Sequence, residues 1–287
     1  MTWTAAVIGH PVSHSLSPDI FSFLAKELGV DLKYEALDVR PEQLKDFVQT
    51  QKLNPTRIGF NVTIPHKEKL FELLDVVTKE ARSVGAVNVI EIKKGKWTGH
   101  NTDILGLQDS FHLHEVDLDN STVIILGAGG AARAAAFAAA IEGAARVFIC
   151  NRRRENSNAI ANEYNKIFSD TSFEPVGLDY NFANENAKLV VQSTPMGMIG
   201  GAASNPELFE NILSGPTTVA FDLVYRPEET EFLKLAKTKN FKTITGLSML
   251  IGQALATWEI WFSPLQNKNQ LSEQLAVFLR KKLAGAA

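Results

Sequence analysis

The stretch Val123-Ile-Ile-Leu-Gly-Ala-Gly-Gly-Ala-Ala-Arg133 decides the fold. Val123 to Leu126 is a short apolar run of strand type. Gly127, Gly129 and Gly130 follow at once, and an alanine-rich helical segment then runs from Ala131 to Ile141. Strand, glycine turn and helix are the context that gives G-x-G-x-x-G/A its meaning, with Ala132 at the third small position. Gly127 permits a tight turn, Gly129 lets the backbone approach a pyrophosphate, and Ala132 lets the helix lie close to the strand. The anion would rest on free N–H groups at the positive end of the helix.

The next strand is Ala145-Arg-Val-Phe-Ile-Cys150. An NAD site places an acid near its end, about 20 residues past the glycines, to hold the ribose 2′-hydroxyl. Here the strand ends in Asn151-Arg152-Arg153-Arg154. A carboxylate would repel a 2′-phosphate, whereas a guanidinium grips it with two hydrogen bonds. The pattern predicts NADP in preference to NAD; the competing reading is a charge run facing solvent.

Outward from this centre, 287 residues suggest two domains of ordinary size. The composition is that of a soluble globular protein, with 45% hydrophobic and 21% charged residues. A formal net charge of -3 gives no electrostatic case for nucleic acid or an anionic membrane. The single cysteine, Cys150, excludes an internal disulfide and fits a reducing, cytoplasmic compartment. In a central strand it reads as a small core residue rather than a reactive thiol. The N-terminus has no basic flank and long apolar stretch of the signal-peptide kind, and no segment reads as membrane-spanning.

Strand-like and helix-like segments alternate, which predicts an α/β protein with a largely parallel sheet. Thr2 to Gly9 reads as a strand. Ser17-Pro18-Asp19 reads as N-cap, first helical residue and first-turn acid, opening a helix that ends at Gly29. Strands follow at Leu32 to Asp38 and Arg57 to Val62. Pro41 opens one helix and Pro65 another, running to about Leu74. A short helix from Thr78 to Val84 stops at Gly85, and Lys93-Lys-Gly-Lys96 turns a hairpin between Ala86–Ile92 and Trp97–Gly99. Beyond the glycine turn, strands are expected near 145–150, 188–193, 218–223 and 242–245, and helices over 247–262 and 269–283. The expected domains are 1–103 with 247–287, and 104–246, the last helices folding back onto the first domain.

Four polar stretches fall in loops at strand ends, where α/β proteins place ligands. In Gly9-His-Pro-Val-Ser-His-Ser15-Leu-Ser17-Pro18, two hydroxyls before a helix suit a carboxylate, although Ser17 alone reads as a cap. In Asn61-Val-Thr63-Ile-Pro65-His-Lys67, the lysine falls in the first turn of the helix that Pro65 is expected to open. A cation there opposes the helix dipole at a cost of about 0.3–1 kcal/mol. Such local rule-breaking is expected at working sites, and an exposed lysine in a polar run is the plainer reading. Gly99-His-Asn101-Thr-Asp103 and Gly85-Ala-Val-Asn88 supply an acid and an amide, yet Thr102 or Asp103 could simply cap the next helix. In Gly246-Leu-Ser-Met249-Leu-Ile-Gly252-Gln253-Ala254, Gln253 is either a substrate contact or a buried hydrogen-bonding partner. His10, His14, His66 and His100 form no local cluster with carboxylates or cysteines and His112-x-His114 falls at a predicted helix end, so no metal site is expected, and neither G-x-S-x-G nor Walker A occurs.

Together these motifs resemble the shikimate dehydrogenase family, which reversibly reduces 3-dehydroshikimate to shikimate with NADPH. The resemblance runs in order through Ser15-Leu-Ser17-Pro18, Asn61 to Lys67, Gly85 to Asn88, Asn101-Thr-Asp103 and Gly127 to Ala131. It continues through Asn151-Arg152, Ser193-Thr-Pro-Met-Gly-Met198, Asp222-Leu-Val-Tyr225-Arg-Pro227 and Gly246 to Ala254. It implies two α/β domains around a cleft, the second a Rossmann-type parallel sheet. It implies Lys67 and Asp103 as catalytic pair, with Ser15 and Ser17 on the substrate carboxylate. Thr63, Asn88, Asp103 and Gln253 would hold ring hydroxyls, with Tyr225 nearby. Gly127, Ala128, Gly129, Gly130 and Ala131 would carry the pyrophosphate, and Asn151, Arg152 and Arg154 the adenosine phosphate. Thr194, Met196, Leu223, Gly246 and Met249 would line the nicotinamide side.

Two positions depart from the family pattern: Val89 stands where Thr often follows the asparagine, and Arg153 where Thr often follows Asn-Arg. The second resembles the broader shikimate/quinate branch, but that branch tends to place an acid next and this chain has Arg154. The resemblance thus implies an NADP-dependent enzyme of aromatic amino acid (chorismate) biosynthesis, in the cytoplasm, monomeric or homodimeric, with no nucleic-acid or membrane partner. The alternatives are a quinate/shikimate dehydrogenase of broader specificity and a non-catalytic sensor of a shikimate-pathway ligand.

Overall fold

The computed structural model describes residues 2–52, 54 and 56–284, and in it the alternating segments become two six-stranded sheets. In the first unit the apolar run Ala5 to Ile8 is buried on both faces and forms β1 (Trp3–Gly9). Helix α1 (Ser17–Glu27) packs its Ile20, Phe21 and Leu24 inward and stops at Gly29, whose φ of 64° a side chain would resist. Strand β2 (Leu32–Asp38) pairs parallel to β1. Pro41 opens a 3₁₀ turn that runs into α2 (Leu44–Gln51), and β3 (Arg57–Val62) pairs parallel to the other side of β1.

No α-helix follows Pro65. Residues 63–68 form a loop, and a 3₁₀ segment, Lys69–Leu73, comes after it. The dipole argument for Lys67 therefore falls. Tertiary hydrogen bonds hold this loop instead. His66 Nε2 donates to Val39 O at 2.6 Å, and Val87 N donates to Lys67 O at 2.8 Å. The two-residue β4 (Val76–Val77) leads to α3 (Lys79–Val84), capped by the Thr78 side chain and closed by left-handed Gly85. Strands β5 (Val89–Lys93) and β6 (Lys96–His100) form the expected hairpin, with positive φ at Lys94 and Gly95. The hairpin makes this sheet mixed, in the order β2-β1-β3-β5-β6-β4, with β3·β5 and β5·β6 antiparallel.

The second unit begins after Asp103, the first residue of α4 (Asp103–Leu113). Its sheet is entirely parallel and contains β7 (Thr122–Leu126), β8 (Arg146–Cys150), β9 (Ser172–Val176), β10 (Ala187–Gln192), β11 (Thr217–Asp222) and β12 (Lys242–Ile244). The order is β12-β11-β10-β7-β8-β9, the doubly wound arrangement with its reversal between β10 and β7. Helices α5 (Gly130–Ile141), α6 (Arg154–Ile167), α7 (Pro206–Ile212) and α8 (Glu231–Thr238) connect these strands. Cys150 is fully buried, and burial pushes its thiol up to about 12, so it serves as core filling.

Helix α9 (Gly246–Trp261) carries the chain back, and α10 (Lys268–Ala284) ends the described residues. One compact unit comprises residues 1–103 and 253–287, the other 104–252. The return thus falls inside α9 at Gln253, where the sequence reading puts it at 247. Among the described residues no helix is long and apolar enough to cross a membrane, and no group of three or more His, Cys, Asp or Glu side chains is placed to hold a metal ion.

Candidate active site and dinucleotide site

In the first unit the polar stretches converge at the C-terminal ends of β1, β3 and β6. Lys67 Nζ donates to Asp103 Oδ2 at 2.6 Å. The lysine is partly exposed and the aspartate buried, so an accessible ammonium is held from behind by an enclosed carboxylate. The other oxygen of Asp103 accepts from Asn88 Nδ2 at 2.8 Å, and the Asp103 amide is held by Asn101 Oδ1 at 3.0 Å. Asn88 is clamped in turn: its Nδ2 donates to Thr102 Oγ1 at 3.0 Å, and its Oδ1 accepts from Thr102 N at 2.7 Å. Asp103 therefore starts α4 and also anchors Lys67.

Ser17 is not a cap. The backbone puts Leu16 at the N-cap position, with no side-chain cap, and Ser17 is the first helical residue. Ser15 Oγ donates to Ser17 Oγ at 3.1 Å and accepts from Ser17 N at 3.2 Å, which places the two hydroxyls side by side at the helix start. Thr63 sits between β3 and Lys67, its amide donating to Ile8 O at 2.9 Å. Gln253 is the first residue of the returning segment. The structure thus gathers Ser15, Ser17, Thr63, Lys67, Asn88, Asp103 and Gln253 in one unit. Tyr225 belongs to the other unit, where burial raises its phenol above the ordinary tyrosine value.

In the second unit the chain leaves β7 through Gly127 at φ 123°, where an added Cβ would run into Ser193 Oγ. Gly129 is exposed with open space over its Cα, and α5 starts without a side-chain cap. First-turn amides without an internal partner, behind an open glycine, fit a phosphate group. At the end of β8, Asn151 Nδ2 donates to the Arg153 carbonyl at 2.9 Å, and Arg152, Arg153 and Arg154 are exposed. Arg154 is the first residue of α6 and reaches Pro175 O at 3.5 Å. These donors fit the phosphate end of a dinucleotide, with cations where an NAD site would carry an acid.

Gln192 and Asp222, which the sequence reading did not single out as site residues, organise the loops beside this turn. They are opposite each other at the ends of β10 and β11, both fully buried. Gln192 Oε1 accepts from Thr194 N at 2.5 Å and Thr194 Oγ1 at 2.7 Å. Its Nε2 donates to the carbonyls of Thr194 and Met196, each at 3.1 Å, and to Asp222 Oδ1 at 3.3 Å. Asp222 also accepts from Val224 N at 2.9 Å and from Thr230 Oγ1 at 2.5 Å, and its burial pushes the carboxyl up to about 7. Gly246, at the start of α9, lies against the Leu223 and Val224 carbonyls, and Met249 is buried one turn later. The one sequence signal for Gln192 and Asp222 is a polar residue closing an apolar strand.

A doubly wound sheet with a glycine turn, together with an acid-held lysine, defines a nicotinamide-dependent oxidoreductase. Residues 7–90 match the family model described as the shikimate dehydrogenase substrate binding domain. The chain is 37% identical over 261 residues to the shikimate dehydrogenase (NADP(+)) of Methanococcus maripaludis, covering 91% of this chain and 92% of that protein. Among solved structures it is similar to the Thermus thermophilus shikimate 5-dehydrogenase in complex with NADP(H) and shikimate. That similarity has TM-score 0.81 and 34% identity and covers 96% of this chain and 98% of that one. It is also similar to the 5-ketofructose reductase of a Gluconobacter strain, with TM-score 0.82 and 29% identity over 97% of this chain and 99% of that one. The chain belongs to the shikimate dehydrogenase family.

Proposed function

We infer that this chain is an NADP-dependent shikimate dehydrogenase that reversibly reduces 3-dehydroshikimate to shikimate in aromatic amino acid biosynthesis. The observation that carries this reading is the Lys67–Asp103 contact at 2.6 Å, with Asn88 on the second carboxylate oxygen, in a chain of this family. Bound NADPH supplies hydride to the ring carbonyl carbon. Lys67 donates a proton or hydrogen bond to the carbonyl oxygen as its charge develops, and accepts that proton in the reverse direction. Asp103 orients the ammonium and, with Asn88, Thr63 and Gln253, holds the ring hydroxyls. The paired hydroxyls of Ser15 and Ser17 take the carboxylate.

In the second unit, residues 127–131 receive the pyrophosphate, Asn151, Arg152 and Arg154 the adenosine phosphate, and Thr194, Met196, Leu223, Gly246 and Met249 the nicotinamide side. The first unit is then the substrate domain and the second the NADP domain. We place the protein in the cytoplasm, as monomer or homodimer, with no nucleic-acid or membrane partner.

The test is the initial rate of reduced-nicotinamide formation from shikimate with NADP and NAD in parallel, with quinate as second substrate and NADPH-linked reduction of 5-ketofructose as third. Strong activity confined to shikimate and NADP is expected. Comparable rates on quinate or with NAD would place the chain in the broader branch, and turnover of the ketose alone would overturn the reading.

A further inference from the structure

Thr257 lies on α9 one helical turn past Gln253 and is fully buried. Its hydroxyl donates to the Gln253 carbonyl at 2.8 Å, the back-bond open to a threonine inside a helix. With its only hydrogen used there, its oxygen accepts from Asn61 Nδ2 and from Thr102 Oγ1, each at 3.3 Å.

Each donor begins an arm. Asn61 Oδ1 accepts from the Tyr34 phenol at 2.8 Å; Ser17 lies beside that phenol, and Ser17 Oγ accepts from Ser15. Thr102 Oγ1 accepts from Asn88 Nδ2, which also reaches Asp103, which holds Lys67. One oxygen atom thus joins the Tyr34 phenol beside the serine pair, the lysine–carboxylate pair and the backbone of Gln253.

We propose that Thr257 is a positioning residue that sets the spacing between the carboxylate-binding and proton-transferring ends of the substrate site. The proposal rests on the functional reading above, because its arms end on groups assigned there to substrate. Tyr34, Asn61, Asn88 and Thr102 are all buried, so a lost acceptor is not replaced by bulk water. Valine would fill the same volume, yet it would strand the Asn61 amide and the Thr102 hydroxyl. Each would turn toward another acceptor and carry its arm with it. A threonine that only filled the core would tolerate valine in function.

The experiment compares wild type with Thr257→Val, Thr257→Ser and Tyr34→Phe. It measures the shikimate dissociation constant without cofactor, the NADP dissociation constant, kcat and KM. Thr257→Val is expected to weaken shikimate binding and to lower kcat, each about tenfold, while leaving NADP affinity within about twofold. Thr257→Ser restores the oxygen and is expected to recover both within about threefold. Tyr34→Phe cuts only the serine arm and is expected to lose more in shikimate affinity than in kcat. An active wild type whose Thr257→Val variant keeps both values overturns the proposal. Should the valine variant not fold, Tyr34→Phe with unchanged shikimate affinity overturns it equally. A wild type that neither binds nor oxidises shikimate instead overturns the functional reading on which it rests.

Discussion

Lys67→Ala removes the ammonium that Asp103 holds at 2.6 Å while leaving the hydroxyls of Ser15, Ser17 and Thr63 in place. The expected result is a fall in kcat of about 10²–10⁴-fold with the shikimate dissociation constant changed only slightly. Stopped-flow and steady-state rates measure the first and calorimetry the second, and a variant as active as wild type would remove Lys67 from the chemistry. Arg152 is exposed at the end of β8, so its loss costs little stability and reports on the ligand alone. Arg152→Ala should raise KM for NADP far more than for NAD; equal changes would exclude a 2′-phosphate contact.

The glycine turn between β7 and α5 is built for close approach. Gly127 holds φ 123° and backs onto Ser193, so Gly127→Ala meets both backbone strain and a collision. It should lower stability by about 1–3 kcal/mol and weaken NADP binding, while shikimate affinity in the other unit stays near wild type. Denaturant melts and separate ligand titrations distinguish these effects. This element was legible in the sequence because three local signals agree: apolar run, glycines and alanine helix. Other elements were not. Strand β9 lies at the sheet edge beside β8, and as an edge strand it tolerates Pro175 and Glu174, which hide it in the sequence pattern. The loop at Pro65 carries the same proline signal as a helix start, and distant partners at Val39 and Val87 decide against the helix. Ser17 was legible as a residue that matters but not as a helical residue, because its hydroxyl is claimed by Ser15 rather than by a backbone amide. Thr257 draws its role from Asn61 and Thr102, far away in the sequence, and Gln192 and Asp222 meet only because β10 and β11 lie side by side in the fold.

Across the whole molecule, buried titratable groups pull stability in opposite directions with pH. Burial lowers the imidazoles of His66 and His100 in the first unit and of His114 in the second below the usual histidine value of 6.5. The unfolded chain binds those protons more readily, so their contribution is complete above pH 6.5 and is lost as pH falls through their folded values. Asp222 runs the other way. Its carboxyl rises from 3.8 to about 7 on folding, so the folded chain holds that proton more tightly. Its share of stability is present below pH 3.8 and is lost as pH rises to about 7. Below pH 6.5 the histidines therefore add stability with rising pH while Asp222 removes it, so the two contributions oppose each other. Asp222→Asn keeps an acceptor for Val224 N and does not titrate. Its melting temperature should climb more steeply than that of wild type from about pH 5 to about pH 7, with the histidine contribution unopposed. Calorimetric melts of both proteins at matched ionic strength measure the two slopes. Parallel curves would show that Asp222 is ionised throughout this range in the folded protein, and the hydrogen bonds from Thr230, Val224 and Gln192 would then have to stabilise a full buried charge.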